Sequence, residues 1–135
     1  MAHKPIVAVC AAFVICLFAG PFVAVPMFAH HGGAAYNTDE NTTLKGTVVE
    51  FDFINPHCQL FVSVTDEAGK TVKWDGEFTN PGALHRRGWT KDMFKPGDPI
   101  TLIGNRARNG APVLRVLKME MADGRKLTAL GADDN

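Results

Sequence analysis

From residue 43 onward, apolar and polar positions alternate with a period of two, broken at short intervals by glycine, proline and asparagine. That is the pattern of half-buried strands joined by tight turns. Residues 43–53 (TLKGTVVEFDF) are β-branched and aromatic, and Gly46 inside them predicts a bend or bulge. Asn55-Pro56 ends this strand, because proline withdraws a donor and restrains its predecessor. Residues 57–65 form the cleanest strand, with Cys58, Leu60, Val62 and Val64 on one face and His57, Gln59, Phe61 and Ser63 on the other. Residues 66–70 (DEAGK) predict a hairpin loop with glycine in the left-handed position. Residues 71–78 return, turning Val72, Trp74, Gly76 and Phe78 to the core and Lys73, Asp75 and Glu77 outward.

The period then changes. Thr79 or Asn80 caps a short helix with Pro81 at its first position, ending at Gly88. Pro96-Gly97-Asp98 leads to a strand over 99–104, Asn109-Gly110 marks a turn, and residues 113–121 form a fifth strand. Asp123-Gly124 turns the chain into residues 126–130. Three strands, a helix and two strands is the order of a mainly β, OB-like, five-stranded Greek-key barrel, with a small open sandwich as the alternative. The first strand bends because it must serve both halves of such a barrel.

The first 29 residues read differently. His3 and Lys4 precede an apolar run rich in Val, Ala, Phe, Ile and Leu that ends at Ala29, the pattern of a signal peptide. Pro21 and Pro26 argue against one uninterrupted spanning helix. Three fates follow from the small-residue rule: cleavage after Ala29, cleavage after Ala34 or Ala35, or an uncleaved anchor. The expected organisation is a leader over 1–29, a flexible lead-in over 30–42 fixed mainly by Tyr36, a barrel domain over 43–130 and a tail over 131–135. A periplasmic or secreted location follows, with membrane contact only if the leader is retained.

Removing residues 1–29 leaves 106 residues, enough for one core, and the loss of Lys4 leaves 13 Lys+Arg against 14 Asp+Glu. No basic excess points to nucleic acid. Cys58 is the one cysteine outside the leader, so no internal disulfide forms, and a buried inert thiol is the simplest reading.

Several segments together resemble the DUF6152 family of small exported bacterial proteins, a domain of unknown function. They are Ala29-His30-His31, Leu44-Lys45-Gly46-Thr47-Val48, Asn55-Pro56-His57, Trp74 and Glu77, Leu84-His85-Arg86-Arg87-Gly88-Trp89, Lys95-Pro96-Gly97-Asp98 and Asp123-Gly124-Arg125-Lys126-Leu127. The chain departs from the family pattern at Gly32, where serine is common, at Phe53, where tryptophan is usual, and at Cys58. The resemblance implies an exported β-barrel-like domain and carries no activity.

Chemistry therefore rests on the residues. Cleavage after Ala29 would give His30 a free amine beside its Nδ1. With one more imidazole that makes a three-nitrogen set suited to Cu(II) and acceptable to Zn(II). His57 is the candidate for the third ligand, and Glu77 on the returning strand for the carboxylate that orients it. Against this, no ligand spacing such as His-x-x-x-His fixes the geometry, and a charged outer hairpin face explains Asp75 and Glu77 more simply. Arg86 and Arg87, with Lys91 and Lys95 beside Trp89, form a basic patch suited to an anion or a partner. Met119 and Met121 alternate, as core filler does. Ser63 is the sole serine and lacks a glycine elbow, so no nucleophilic arrangement is visible.

The expectation is an exported, non-enzymatic binding protein without a nucleic-acid partner. In its sharpest form it binds copper through His30, His31 and His57. The alternative is an envelope module that docks another protein or an anionic polymer through Arg86 and Arg87.

Overall fold

A computed structural model describes residues 33–129. The expected leader, His30, His31 and the tail lie outside the described residues. The elements are β1 (Thr42–Asp52), β2 (Gln59–Thr65), β3 (Thr71–Glu77), α1 (Pro81–Arg86), β4 (Pro99–Arg106), β5 (Val113–Met121) and β6 (Lys126–Thr128). Strand order is β3-β2-β1-β4-β5-β6, and parallel pairing of β3 with β5 closes the first five strands into a barrel. This is the OB-type architecture, with β6 paired to β5 outside the closed ring.

β1 serves both halves: residues 42–47 pair with β4 and residues 47–52 with β2. Gly46 sits at that handover. A Cβ there would collide with the Ser63 carbonyl oxygen and lie 3.1 Å from its carbon, so only glycine admits the approach. The register irregularity falls later, between Val48 and Glu50. One extra residue, Val49, reverses the period-two phase, so that Val48 and Phe51 both turn inward while Glu50 stays exposed. Phe51 then meets Phe53, Phe78 and Phe94.

β5 repeats the device. Ile103 pairs with Lys118 but Gly104 pairs with Val116, leaving Leu117 as the extra residue. Leu114, Val116 and Met119 are therefore all buried despite an odd spacing, and Met121 packs against the same core. Both methionines are core filler.

α1 starts at Asn80, whose side-chain oxygen accepts the Ala83 amide at 2.9 Å. It ends before Gly88, which supplies a positive φ of 85°. Its buried face, Ala83 and Leu84, covers one end of the barrel together with Trp89, which is 1% exposed. Cys58 is fully buried, as expected from composition, and burial pushes its thiol up to about 11.

The lead-in has more anchors than Tyr36. After a 3-10 turn over Gly33–Ala35, Tyr36 bridges to Ala107. The Asn37 amide donates to Arg106 O at 2.9 Å, the Arg108 amide to Ala35 O at 2.9 Å, and Arg108 Nε to Tyr36 O at 2.9 Å. The segment is stitched along the end of β4 and the β4–β5 loop.

Candidate functional site

The hairpin turn after β2 sets Thr65 opposite Thr71, and the ladder then puts Phe61 opposite Asp75 and Gln59 opposite Glu77. Asp75 and Glu77 consequently share the outer barrel face with Gln59, Phe61 and Lys73. The Lys73 ammonium lies 4.2 Å from the centre of the Phe61 ring. The β1–β2 loop turns through a cis Asn55–Pro56 peptide and delivers His57 beside this face.

Glu77 is the hub. Its Oε1 takes the His57 Nδ1–H and its Oε2 takes the Tyr36 hydroxyl. One carboxylate thus joins three segments that are remote in sequence: the lead-in, the β1–β2 loop and β3. In a neutral imidazole, an Nδ1–H held on a carboxylate goes with the tautomer whose lone pair is on Nε2. Burial pushes the Tyr36 phenol up, and the hydrogen bond and charge of Glu77 add to it, so the hydroxyl stays protonated and donates.

Asp75 is the second acidic group. Its Oδ2 accepts from Gln59 Nε2 at 2.7 Å, while its Oδ1 is shut off from solvent with no hydrogen-bond partner among the described residues. Burial raises the Asp75 carboxyl above its ordinary range, Glu77 raises it further, and the Gln59 bond and Lys73 charge oppose the shift. The solvated hairpin face expected for Asp75 and Glu77 is therefore corrected. Both carboxylates are part-buried, because the lead-in and the β4–β5 loop lie over their end of β3, where the Asp75 amide donates to Pro112 O at 2.9 Å.

Of the residues singled out in the sequence, the structure brings His57 and Glu77 together. His30 and His31 lie outside the described residues. Arg86 and Arg87 sit elsewhere, at the exposed end of α1, where Arg87 Nη1 donates to Ala129 O at 3.0 Å. Trp89 beside them is buried in the core, so it offers no stacking surface to a ligand. Among the described residues, no group of three or more His, Cys, Asp and Glu side chains converges as a metal centre.

Sequence reasoning gave too little weight to Tyr36, Gln59 and Asp75. The hairpin register could have placed Gln59 beside the two carboxylates, since the turn fixes it by counting. Nothing local signals that Tyr36 reaches Glu77 across 41 residues.

The class is thus an OB-type barrel with a polar cluster on its β2–β3 face, where its β1–β2 loop, β4–β5 loop and lead-in meet. The chain belongs to DUF6152, a family of unknown function, whose model matches residues 21–113. No curated protein and no solved structure matches the chain.

Proposed function

We propose that this domain is an exported, non-enzymatic binding protein that holds a copper ion through His57 and the histidines of its lead-in, His30 and His31. One observation carries the reading: Glu77 grips both His57 and Tyr36. A ligating histidine needs its second nitrogen held by an acceptor that fixes tautomer and ring orientation, and Glu77 is such an acceptor. Tyr36 ties the lead-in to the same carboxylate. His31 and His30 precede it by five and six residues, a tether of at most roughly 20 Å when fully extended. Cleavage after Ala29 would add the His30 amine, and amine plus imidazoles is a donor set that favours Cu(II) over harder cations.

The test is Cu(II) titration of the exported, processed chain, its N-terminus fixed by sequencing, read by calorimetry and EPR. One equivalent should bind with a nitrogen-rich EPR signature. Loss of the orienting carboxylate in Glu77→Gln should weaken affinity roughly 10–100-fold. Binding indifferent to both His57→Ala and His30→Ala would overturn the proposal, as would processing beyond His31.

A further inference from the structure

Ala129, the last of the described residues, is buried and held from two sides. Its amide donates to Leu117 O at 2.9 Å, and its carbonyl accepts from Arg87 Nη1 at 3.0 Å. The chain therefore leaves the barrel directly beside the C-terminal end of α1. Residues 130–135 (LGADDN) lie outside the described residues.

The surface at this exit is basic. Arg86 and Arg87 are exposed, and residues 78–91 hold Arg86, Arg87 and Lys91 with no carboxylate among them. On the β-sheet side, Thr128 pairs with Lys118, which is also exposed. Glu120, the one carboxylate on β5, stands opposite Lys126 instead, and the Lys126 ammonium lies 3.8 Å from it. Cations gathered on one surface without local counter-charge attract carboxylates from elsewhere.

The segment that follows Ala129 supplies them. Residues 130–135 carry Asp133 and Asp134 and no cation. Asp133 comes four residues after Ala129, a tether of at most roughly 14 Å. Arg87, whose guanidinium already touches Ala129, is well within that reach. A tether this short holds the two carboxylates at a millimolar local concentration. Exposed ion pairs are individually weak, so docking depends on that concentration and is sensitive to salt.

We propose that the Arg86–Arg87 surface is occupied by the chain's own acidic tail, with Asp133 and Asp134 as the docking carboxylates. The tail is then a tethered competitor for any external anion at this surface. Docked roughly three-quarters of the time, it makes such an anion bind about fourfold more weakly than at the bare patch. His57, Glu77 and copper have no part in it, so it stands or falls apart from the copper reading.

The experiment is 15N relaxation of the processed chain with its tail intact, followed by titration with tripolyphosphate. At low salt the order parameters of the Asp133 and Asp134 amides should lie above the flexible range, which ends at about 0.6. They should fall into that range in about 1 M NaCl, where the Debye length is about 3 Å. Asp133→Asn/Asp134→Asn keeps side-chain size and leaves every described contact in place. It should free the tail at low salt and tighten tripolyphosphate binding, read at the Arg86 and Arg87 amides, about fourfold. Glu40→Gln/Glu67→Gln removes the same charge from exposed positions elsewhere and should change neither readout. A tail that is flexible at low salt, or that stays ordered in the Asp133→Asn/Asp134→Asn chain, overturns the proposal. So does a tripolyphosphate affinity that this variant leaves unchanged, or one that both double variants raise equally.

Discussion

Asp75→Asn should make the protein more stable at neutral pH. The substitution is nearly isosteric and keeps an oxygen to accept the Gln59 Nε2 bond. It removes a negative charge that is part-buried beside Glu77 and has one oxygen without a donor among the described residues. Leaving a buried acceptor unsatisfied costs about 1–3 kcal/mol. The asparagine amide is itself incompletely satisfied there, so the net gain is set at the low end, about 1 kcal/mol. For a domain of this size, that corresponds to roughly 4–8 °C in Tm.

The pH dependence has a definite sign. The native state raises the Asp75 carboxyl above its ordinary 3.8, so between the unfolded and folded values the native state binds more protons. Stability from this group therefore falls as pH rises through that window and is at its lowest at neutral pH. Asparagine does not titrate, so the advantage of Asp75→Asn should be full at neutral pH and shrink on acidification toward pH 3.8. Thermal unfolding followed by circular dichroism at neutral and acid pH measures both the gap and its slope. A lower Tm for Asp75→Asn at neutral pH, or a gap that ignores pH, would refute the reasoning.

Two further outcomes concern the scaffold. Gly104→Ala should destabilise the barrel by about 3 kcal/mol or more, because the new Cβ collides with the Arg115 carbonyl oxygen and lies 2.9 Å from its carbon, and backbone cannot step aside; a urea midpoint equal to wild type would count against the β5 bulge geometry. Cys58 should resist a thiol reagent in the native protein until pH approaches 11 and react fully in denaturant; fast native labelling near neutral pH would show that the core opens there.

Period-two alternation located β2 and β3 to within two residues, and the Asp66–Lys70 turn carried their register with it. Capping chemistry located α1, since Asn80, Pro81 and Gly88 act through nearest neighbours. The bulges at Val49 and Leu117 were not legible, because each corrects a phase set by distant partners. Phe51 must reach Phe78 and Phe94, and Met119 must reach the core that Leu114 and Val116 already line. Gly46 drew attention to the right strand for a different reason, close approach to Ser63 rather than an extra residue. At the site, the outward placement of His57 and Glu77 could be counted from the turn. The burial of Asp75 could not, because it depends on a lead-in and a loop that arrive from opposite ends of the chain.

The ring of strands is shut by only a short parallel seam, where Asp75, Gly76 and Glu77 meet Val113, Leu114 and Arg115. Every other joint of the barrel is a longer antiparallel ladder. Spontaneous gaping of the cylinder should therefore begin at this seam, and the two acidic side chains sit on its lip. Glu77, gripping Tyr36 and His57, acts as a rivet there, so Glu77→Gln should register as faster hydrogen exchange at the seam before it registers anywhere else.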